Sequence, residues 1–401
     1  MKLGLEEYQK IVRKQRDNIT LVMKVTNKCH LNCKYCYHLH NATEDLNADM
    51  DLNLFKESIL KICPPFKTVN LHIHGGEPLT LPVETLEEIF KFIDNYREAV
   101  KDYQKIYPAV QTNLTLLTDE KKALLEKYSI QLSTSFDGYY NKETRNLDVE
   151  KSIDRFNNVD LPNKGVINVV TREACGHFEE QMETFNKIKN AAVMSNPVFP
   201  FCCPDESKLE PGQYADYVIK RFKYQLENDK DFSWDTLRYL SSVINEGVGC
   251  DCFCSYCLNS IFTISPSGRI RGCDVRYEDI FFYGNIRDIN NFNDIYNLEG
   301  YQKFEKATLE HINRCSDCEY YKYCKGACFN RSVVINNDII SKDYYCYDIK
   351  LIIQYFIDFF KEYDNDQSKL PKRLQNLNRG LMKALNDSTH YDKEKRRTKN
   401  V

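Results

Sequence analysis

An α/β fold on a parallel sheet is predicted for the first half of this sequence, and three observations predict it. Short apolar runs recur from Ile19 to Phe201, segments of helical period separate them, and polar or glycine-containing turns follow the runs. Such alternation argues for a parallel sheet with right-handed crossovers. Six units form either an open doubly wound sheet or a partial barrel, and periodicity leaves both open. In either case ligands gather at the carboxyl ends of the strands.

The six runs are Ile19 to Val25, Val69 to Ile73, Tyr107 to Gln111, Ile130 to Ser135, Val166 to Val170 and Val198 to Phe201. Helical patterns lie between them at Asn53 to Ile62, Val83 to Val100, Asp119 to Lys127, Val149 to Asn157 and Glu179 to Asn190. A mainly helical span follows from Pro211 to about Glu246. The region from Cys250 to Cys346 is dense in cysteine and poor in long periodic segments, so it reads as a small domain organised by metal. Leu351 to Tyr363 has apolar residues on one helical face, and the polar remainder, with its basic run Lys393 to Lys399, reads as a solvated tail.

Composition narrows the function. With 401 residues, 42% hydrophobic and 28% charged, the chain falls in the globular range and is long enough for two or three folded units. Lys and Arg number 55 against 58 Asp and Glu, a net charge of -3, so there is no basic footprint for nucleic acid. The N-terminus MKLGLEEYQKIV lacks the apolar core of a signal peptide, and the apolar stretch Leu351 to Phe360 is broken by Gln354 and Asp358. Neither export nor a membrane span is expected, and a cytoplasmic location is. Seventeen cysteines in a reducing compartment point to metal or cluster ligation rather than disulfides. They are concentrated in the window 29 to 36 and between 250 and 346, with only Cys63, Cys175, Cys202 and Cys203 elsewhere, and these four read as buried thiols.

Directly after the first run stands Cys29-His30-Leu31-Asn32-Cys33-Lys34-Tyr35-Cys36. Three thiolates this close can hold a cubane iron-sulfur cluster and leave one iron open to a substrate or cofactor. The bland alternative is a zinc knot completed by His30, His38 or His40. The second run ends in His72-Ile73-His74-Gly75-Gly76-Glu77-Pro78, where two glycines let the backbone approach a ligand and Glu77 can accept from an ammonium group. His72 and His74 read as packing or supporting residues. The third run ends in Gln111-Thr112-Asn113 and the fourth in Ser133-Thr134-Ser135-Phe136-Asp137-Gly138, so polar groups converge at predicted strand ends.

These motifs in combination resemble the radical S-adenosylmethionine (SAM) superfamily over roughly residues 19 to 201. The resemblance implies a partial six-fold (β/α) TIM-like barrel and a [4Fe-4S] cluster on Cys29, Cys33 and Cys36 whose open iron binds S-adenosylmethionine. It further implies Tyr35 against the adenine, Gly75, Gly76 and Glu77 at the methionine ammonium, and Ser135 with Arg145 at the methionyl carboxylate or ribose. A second pattern follows: Cys257, Gly268, Cys273, Cys315-x2-Cys318-x5-Cys324-x3-Cys328 and Cys346. It resembles the cysteine-rich iron-sulfur (SPASM) extension found in peptide- and protein-modifying members, which carries two auxiliary [4Fe-4S] clusters, three clusters in all. One auxiliary cluster is implied at Cys315, Cys318, Cys324 and Cys346. The other takes Cys257, Cys273, Cys328 and one of Cys250, Cys252 and Cys254, of which Cys252 is favoured. A structural zinc domain is the alternative for this region.

The division implied is a barrel over 1–210, a helical linker over 211–249, a SPASM domain over 250–350, and a C-terminal helix and tail over 351–401. The expected function is radical oxidation of a peptide or protein side chain, such as a cross-link in a ribosomally made peptide. Partners implied are that substrate, an electron donor such as flavodoxin or ferredoxin, and either a separate leader-recognition protein or direct leader binding, since only about eighteen residues precede the first strand. The alternative within the class is an anaerobic sulfatase maturase forming formylglycine from Cys or Ser. It is raised by the pair Cys273-Asp274, in which the resemblance implies that Asp274 takes a substrate proton; the competing reading is an Asp274 that caps a turn or pairs with Arg271 or Arg276. From another class comes a non-catalytic iron-sulfur electron carrier, which leaves the strand-end motifs unexplained.

Overall fold

The computed structural model describes residues 2–14, 16–40, 43–162, 164–244, 257–276, 278–336, 338–362, 371–372 and 374–375. Six parallel strands, β1 (Asn18–Thr26), β2 (Thr68–Gly75), β3 (Lys105–Thr112), β4 (Gln131–Ser135), β5 (Lys164–Val170) and β6 (Ala191–Pro197), lie side by side in chain order. A doubly wound sheet would reverse its strand order at a switch point. None occurs here, so of the two architectures left open by periodicity the partial barrel is the one formed.

Local chemistry accounts for the sharp helix limits. Thr118 caps Asp119–Lys127 by accepting from Lys121 N, Asp148 caps Val149–Asn157 by accepting from Lys151 N, and Asp51 caps Leu52–Ile62 at Asn53 N and Leu54 N. On β1 and β2, Ile19, Leu21, Met23, Val69, Leu71 and Ile73 are buried toward one face. The other face carries Lys24 beside His74, His72 beside Ala109 and Gln111 beside Ser133 in register. The polar side chains thus share the face opposite the aliphatic core.

Three expectations are corrected. The sixth strand is Ala191–Pro197 rather than Val198 to Phe201: Pro200 has no N–H for a ladder, and only Val198 N extends the pairing, to Val170 O at 2.9 Å. The cysteine-dense region is not poor in long periodic segments, since Glu299–Cys315 is a 17-residue helix burying Tyr301, Phe304, Thr308 and Ile312. Nor is it set apart from the barrel. Its strands β7 (Ile261–Ile264), β8 (Arg269–Arg271) and β9 (Phe282–Asn285) continue the same nine-stranded sheet, with β7 parallel to β1 and the order running β6-β5-β4-β3-β2-β1-β7-β8-β9. Three or four residues per strand are too few to read by period.

The span expected to link the two halves is packed rather than extended. Helices Gln213–Glu227 and Trp234–Ile244 lie on the helix Cys346–Lys361, and the second of them also covers β6. Asp235 seals that sheet edge by accepting from Ser195 N at 3.0 Å. The last helix begins at Cys346, five residues before the sequence pattern placed it. No helix among the described residues is long and apolar enough to cross a membrane.

Candidate active site

The cysteine loop leaves β1 and is clasped from two sides. On one side Gly76 N donates to Thr26 O at 2.9 Å and Glu77 N to Lys28 O at 2.8 Å. A Cβ on Gly75 would fall 2.0 Å from Thr26 O, and one on Gly76 2.4 Å from Lys28 O, with Gly75 at φ +142°. These glycines therefore let the turn after β2 lock onto the backbone that leads into Cys29. That close approach is to the chain itself, where the sequence suggested approach to a ligand. The Glu77 carboxylate, 1% exposed, accepts from Leu79 N (3.0 Å), Thr112 Oγ1 (2.6 Å) and Asn113 N (2.7 Å), tying the ends of β2 and β3 together.

On the other side Asp137 is a hub. Its carboxylate accepts from the Tyr35 hydroxyl, Thr144 Oγ1 (2.8 Å), Arg145 Nε (2.8 Å) and Val169 N (3.0 Å). Lys34 N donates to Thr144 O at 2.9 Å, so the segment Asp137 to Arg145 grips the cysteine loop directly. Arg145 stacks over the Tyr35 ring at 5.4 Å, and its Nη1 stands 3.9 Å from Cys33 Sγ. The expected ligand residues Tyr35 and Arg145 are thus brought together, with Tyr35's hydroxyl and Arg145's Nε already engaged by Asp137. Ser135 lies on the polar face and accepts from Gln111 Nε2 at 2.7 Å.

Burial pushes the Cys29 thiol up to about 11 and raises Cys33, the latter opposed by the Arg145 guanidinium. Sulfur donors alone, on a short loop beside a cation that steadies thiolate, suit a soft iron-sulfur group. In the C-terminal half, Cys315, Cys318, Cys324 and Cys346 line one concavity together with Lys342 and Lys350. Burial raises Cys315 and Cys346, and these lysines oppose it. The wall after Cys324 is strained: Lys325, Gly326 and Ala327 all have φ near +49° to +87°, and His311 holds the turn by its Nε2 on Gly326 O at 2.9 Å. This donor set fits the cluster implied for it.

Cys257 is buried, whereas Cys273 and Cys328 are half-buried. Cys250, Cys252 and Cys254 lie outside the described residues. Among the other cysteines Cys63 and Cys202 are buried, and Cys202 Sγ reaches Tyr35 O at 3.6 Å.

Asp274 comes back across the sheet to the polar face of β1 and β2. Tyr37 OH donates to its Oδ2 at 2.7 Å, Lys24 Nζ donates to its backbone oxygen at 2.9 Å, and His74 Nε2 stands 4.0 Å from Oδ2. The alternative pairing with arginine does not form, because Arg271 pairs with Glu44 at 3.1 Å and Arg276 with Glu278 at 2.5 Å. Burial raises the Asp274 carboxyl, but His74, Lys24 and the Tyr37 hydroxyl outweigh it and hold it below its ordinary value. His74 accepts from Gly75 N on Nδ1 at 2.7 Å, which puts its proton on Nε2, toward Asp274. Lys24, Tyr37 and Asp137 had no assigned role in the sequence, although a lysine inside an apolar strand is a signal that could have raised the first.

A Radical SAM superfamily model matches residues 23–192, and an iron-sulfur cluster-binding SPASM model matches residues 252–319. The chain is a radical SAM enzyme with a SPASM domain. The zinc and electron-carrier alternatives fall with that match. The chain is 24% identical to the radical SAM cyclopropyl synthase TigE of Paramaledivibacter caminithermalis, over 86% of this chain and 76% of that protein. It is 21% identical to a cysteine-type anaerobic sulfatase-maturating enzyme of Clostridium perfringens, over 84% and 95%. Among solved structures it resembles native anSMEcpe with bound AdoMet and Cp18Cys peptide, with TM-score 0.70 and 19% identity over 87% of this chain and 99% of that one. Streptococcus suis SuiB bound to precursor peptide SuiA gives TM-score 0.58 and 17% identity over 85% and 79%. At these identities the structural likenesses establish the fold. Superfamily membership brings a [4Fe-4S] cluster and S-adenosylmethionine, and the SPASM domain brings further iron-sulfur ligation.

Proposed function

We propose that this radical SAM/SPASM enzyme oxidatively modifies a side chain of a peptide or protein. The observation that carries the reading is the position of Asp274, a carboxylate following Cys273 that reaches the polar face of β1 and β2. It joins the two cysteine regions at one point. Under this reading Cys29, Cys33 and Cys36 hold the cluster that meets S-adenosylmethionine. Cys257, Cys273, Cys328 and Cys252 hold a first auxiliary cluster, and Cys315, Cys318, Cys324 and Cys346 a second, three in all.

S-adenosylmethionine supplies, on one-electron reduction, a 5′-deoxyadenosyl radical able to take a hydrogen atom from a substrate carbon. The protein's task is to position that carbon, exclude water and receive a proton. Asp274, kept ionised by Lys24 and oriented by Tyr37, would accept the proton released as the substrate radical loses its electron, for which the auxiliary clusters would supply the acceptor. General bases of this kind contribute roughly 10² to 10⁴ in rate. The turn Gly75 to Glu77 and the pair Tyr35 and Arg145 border the S-adenosylmethionine site, with Ser135 on the strand beside them. An electron donor such as flavodoxin or ferredoxin and a separate leader-recognition protein are the proposed partners.

One observation favours formylglycine formation as a second reading, the Cys273-Asp274 pair in a chain similar to cysteine-type sulfatase-maturating enzymes. The test is anaerobic incubation with peptides encoded beside the gene and with a sulfatase-derived cysteine peptide, read by mass spectrometry. Asp274→Asn should still form 5′-deoxyadenosine without substrate, yet yield at least about tenfold less modified peptide. Full turnover by that variant removes the base from Asp274.

A further inference from the structure

Several buried polar atoms in the described residues of the C-terminal half have no hydrogen-bond partner, among them Tyr283 OH, Asn259 Nδ2 and Asn330 Oδ1. Asn259 stands two residues after Cys257, and Asn330 two after Cys328. Tyr283, on β9, is 1% exposed, and its hydroxyl lies against Gly272, the residue before Cys273. A Cβ on Gly272 would fall 1.9 Å from that oxygen, so only glycine admits the phenol here.

The neighbouring phenols are satisfied. Tyr301 OH donates to Asn259 Oδ1 at 2.6 Å, and Tyr8 OH shares a bond with Thr308 Oγ1 at 3.0 Å. Tyr283 cannot swing away to find a partner, because its ring is wedged between Tyr301, Phe304 and Phe262 at centroid distances of 5.2, 5.4 and 6.0 Å. A rigid, dry hydroxyl left unpaired is unfavourable, and such groups mark an interaction still to be made.

We propose that the Tyr283 hydroxyl donates a hydrogen bond to a sulfur of the cluster held by Cys257, Cys273 and Cys328, and so raises its reduction potential. This rests on the ligand reading given above. Hydrogen bonds to cluster sulfurs favour the reduced, more negative state. Asn259 supplies a second free donor beside Cys257, its Oδ1 being fixed by Tyr301.

The experiment is a redox titration of the anaerobically reconstituted protein followed by electron paramagnetic resonance. Tyr283→Phe should keep the full iron content and make reduction of one cluster about tenfold less favourable, about 59 mV for a one-electron couple, leaving the others unmoved. In D2O the native holoprotein should show an exchangeable deuteron coupled to that same cluster. Cys273→Ala identifies it by losing about four irons. If Cys273→Ala loses them but Tyr283→Phe shifts no midpoint, or the native protein shows no such deuteron, the hydrogen bond is refuted and the ligand reading stands. If Cys273→Ala keeps all its iron, the ligand reading itself fails and the proposal with it.

Discussion

Two cysteine sites in this chain differ less in their thiols than in what surrounds them. The concavity near the C-terminus gathers four cysteines, from the end of the helix Glu299–Cys315, the turn after it, the short helix Tyr321–Cys324 and the start of Cys346–Lys361, with two lysines alongside. The loop after β1 offers three, and in place of a fourth it has Asp137, Arg145 and the turn Gly75 to Glu77 bonded to its backbone. A closed donor set needs only screening of its charge. An incomplete one needs a rigid wall of donors and acceptors to receive a second molecule. Under the proposed assignment, the polar wall rather than the cysteine count separates the chemical site from the auxiliary one.

The largest effect should come from removing each set in turn. Replacing Cys29, Cys33 and Cys36 by Ala should lower iron from about twelve to about eight per chain and abolish reductive cleavage of S-adenosylmethionine. Replacing Cys324 and Cys346 should cost a similar amount of iron and leave the cleavage standing. Equal loss of cleavage in both variants would erase the distinction drawn here. Next comes the hub. Asp137→Ala strands Arg145 without its buried partner and should destabilise the fold by roughly 3–5 kcal/mol, as breaking buried pairs does. Denaturant unfolding measures it, and a loss under about 1 kcal/mol, the worth of an exposed pair, would show the hub to be incidental.

Much of this contrast was legible in the sequence, for identifiable reasons. Cysteine spacing is a local property, so both cysteine groups could be picked out directly, and the resemblance suggested what each would hold. Strands β1 to β5 were legible from their apolar runs, and the helices Asp119–Lys127 and Val149–Asn157 from their helical period. Ala191–Pro197 was not, because only Ser195 and Pro197 in it are fully buried and the apolar run lies just beyond. The surroundings of Asp274 were hidden for a different reason. Lys24 meets it across 250 positions and Tyr37 across 237, and no local pattern encodes a contact made by folding one half onto the other. The same distance explains why Arg271 and Arg276, near in sequence, were the wrong partners to suspect.

Glu77 sharpens the comparison from the other side. Its carboxylate already holds three donors, so Glu77→Ala leaves buried N–H and O–H groups unpaired and should loosen the turn itself. Affinity for S-adenosylmethionine, measured calorimetrically on the reconstituted protein, should fall by roughly ten- to a hundredfold, the worth of a charged hydrogen bond. Glu77→Gln keeps an oxygen for Thr112 or Asn113 and should recover part of it. A Gln variant as weak as Ala would mean that the negative charge, and not the bracing of β2 against β3, is what the site uses.

The smallest expected effect is one of acidity, and it separates the two halves without touching a cysteine. Burial lowers His38, His72 and His74 on the barrel side, His74 to about 4, although the nearby Asp274 pulls it upward. A histidine kept neutral in the folded state but protonated when unfolded makes the unfolded chain bind more protons between its two pKa values. Stability therefore falls as pH drops from about 6.5 toward 4, and below 4 no further loss comes from His74. At pH 5.5 this histidine accounts for about 1–2 kcal/mol. Thermal unfolding at pH 7.5 and 5.5 should show a smaller acid loss in His74→Gln than in the native sequence. Hydrogen exchange should speed up first in β1 and β2. In the helix Glu299–Cys315 burial also lowers His311, but its two nitrogens meet backbone oxygens of Gly326 and Ser341, which favour a proton and soften the effect. If acid opens that helix before β1 and β2, the neutral histidines of the barrel are not the weak point, and the contrast rests on the polar wall alone.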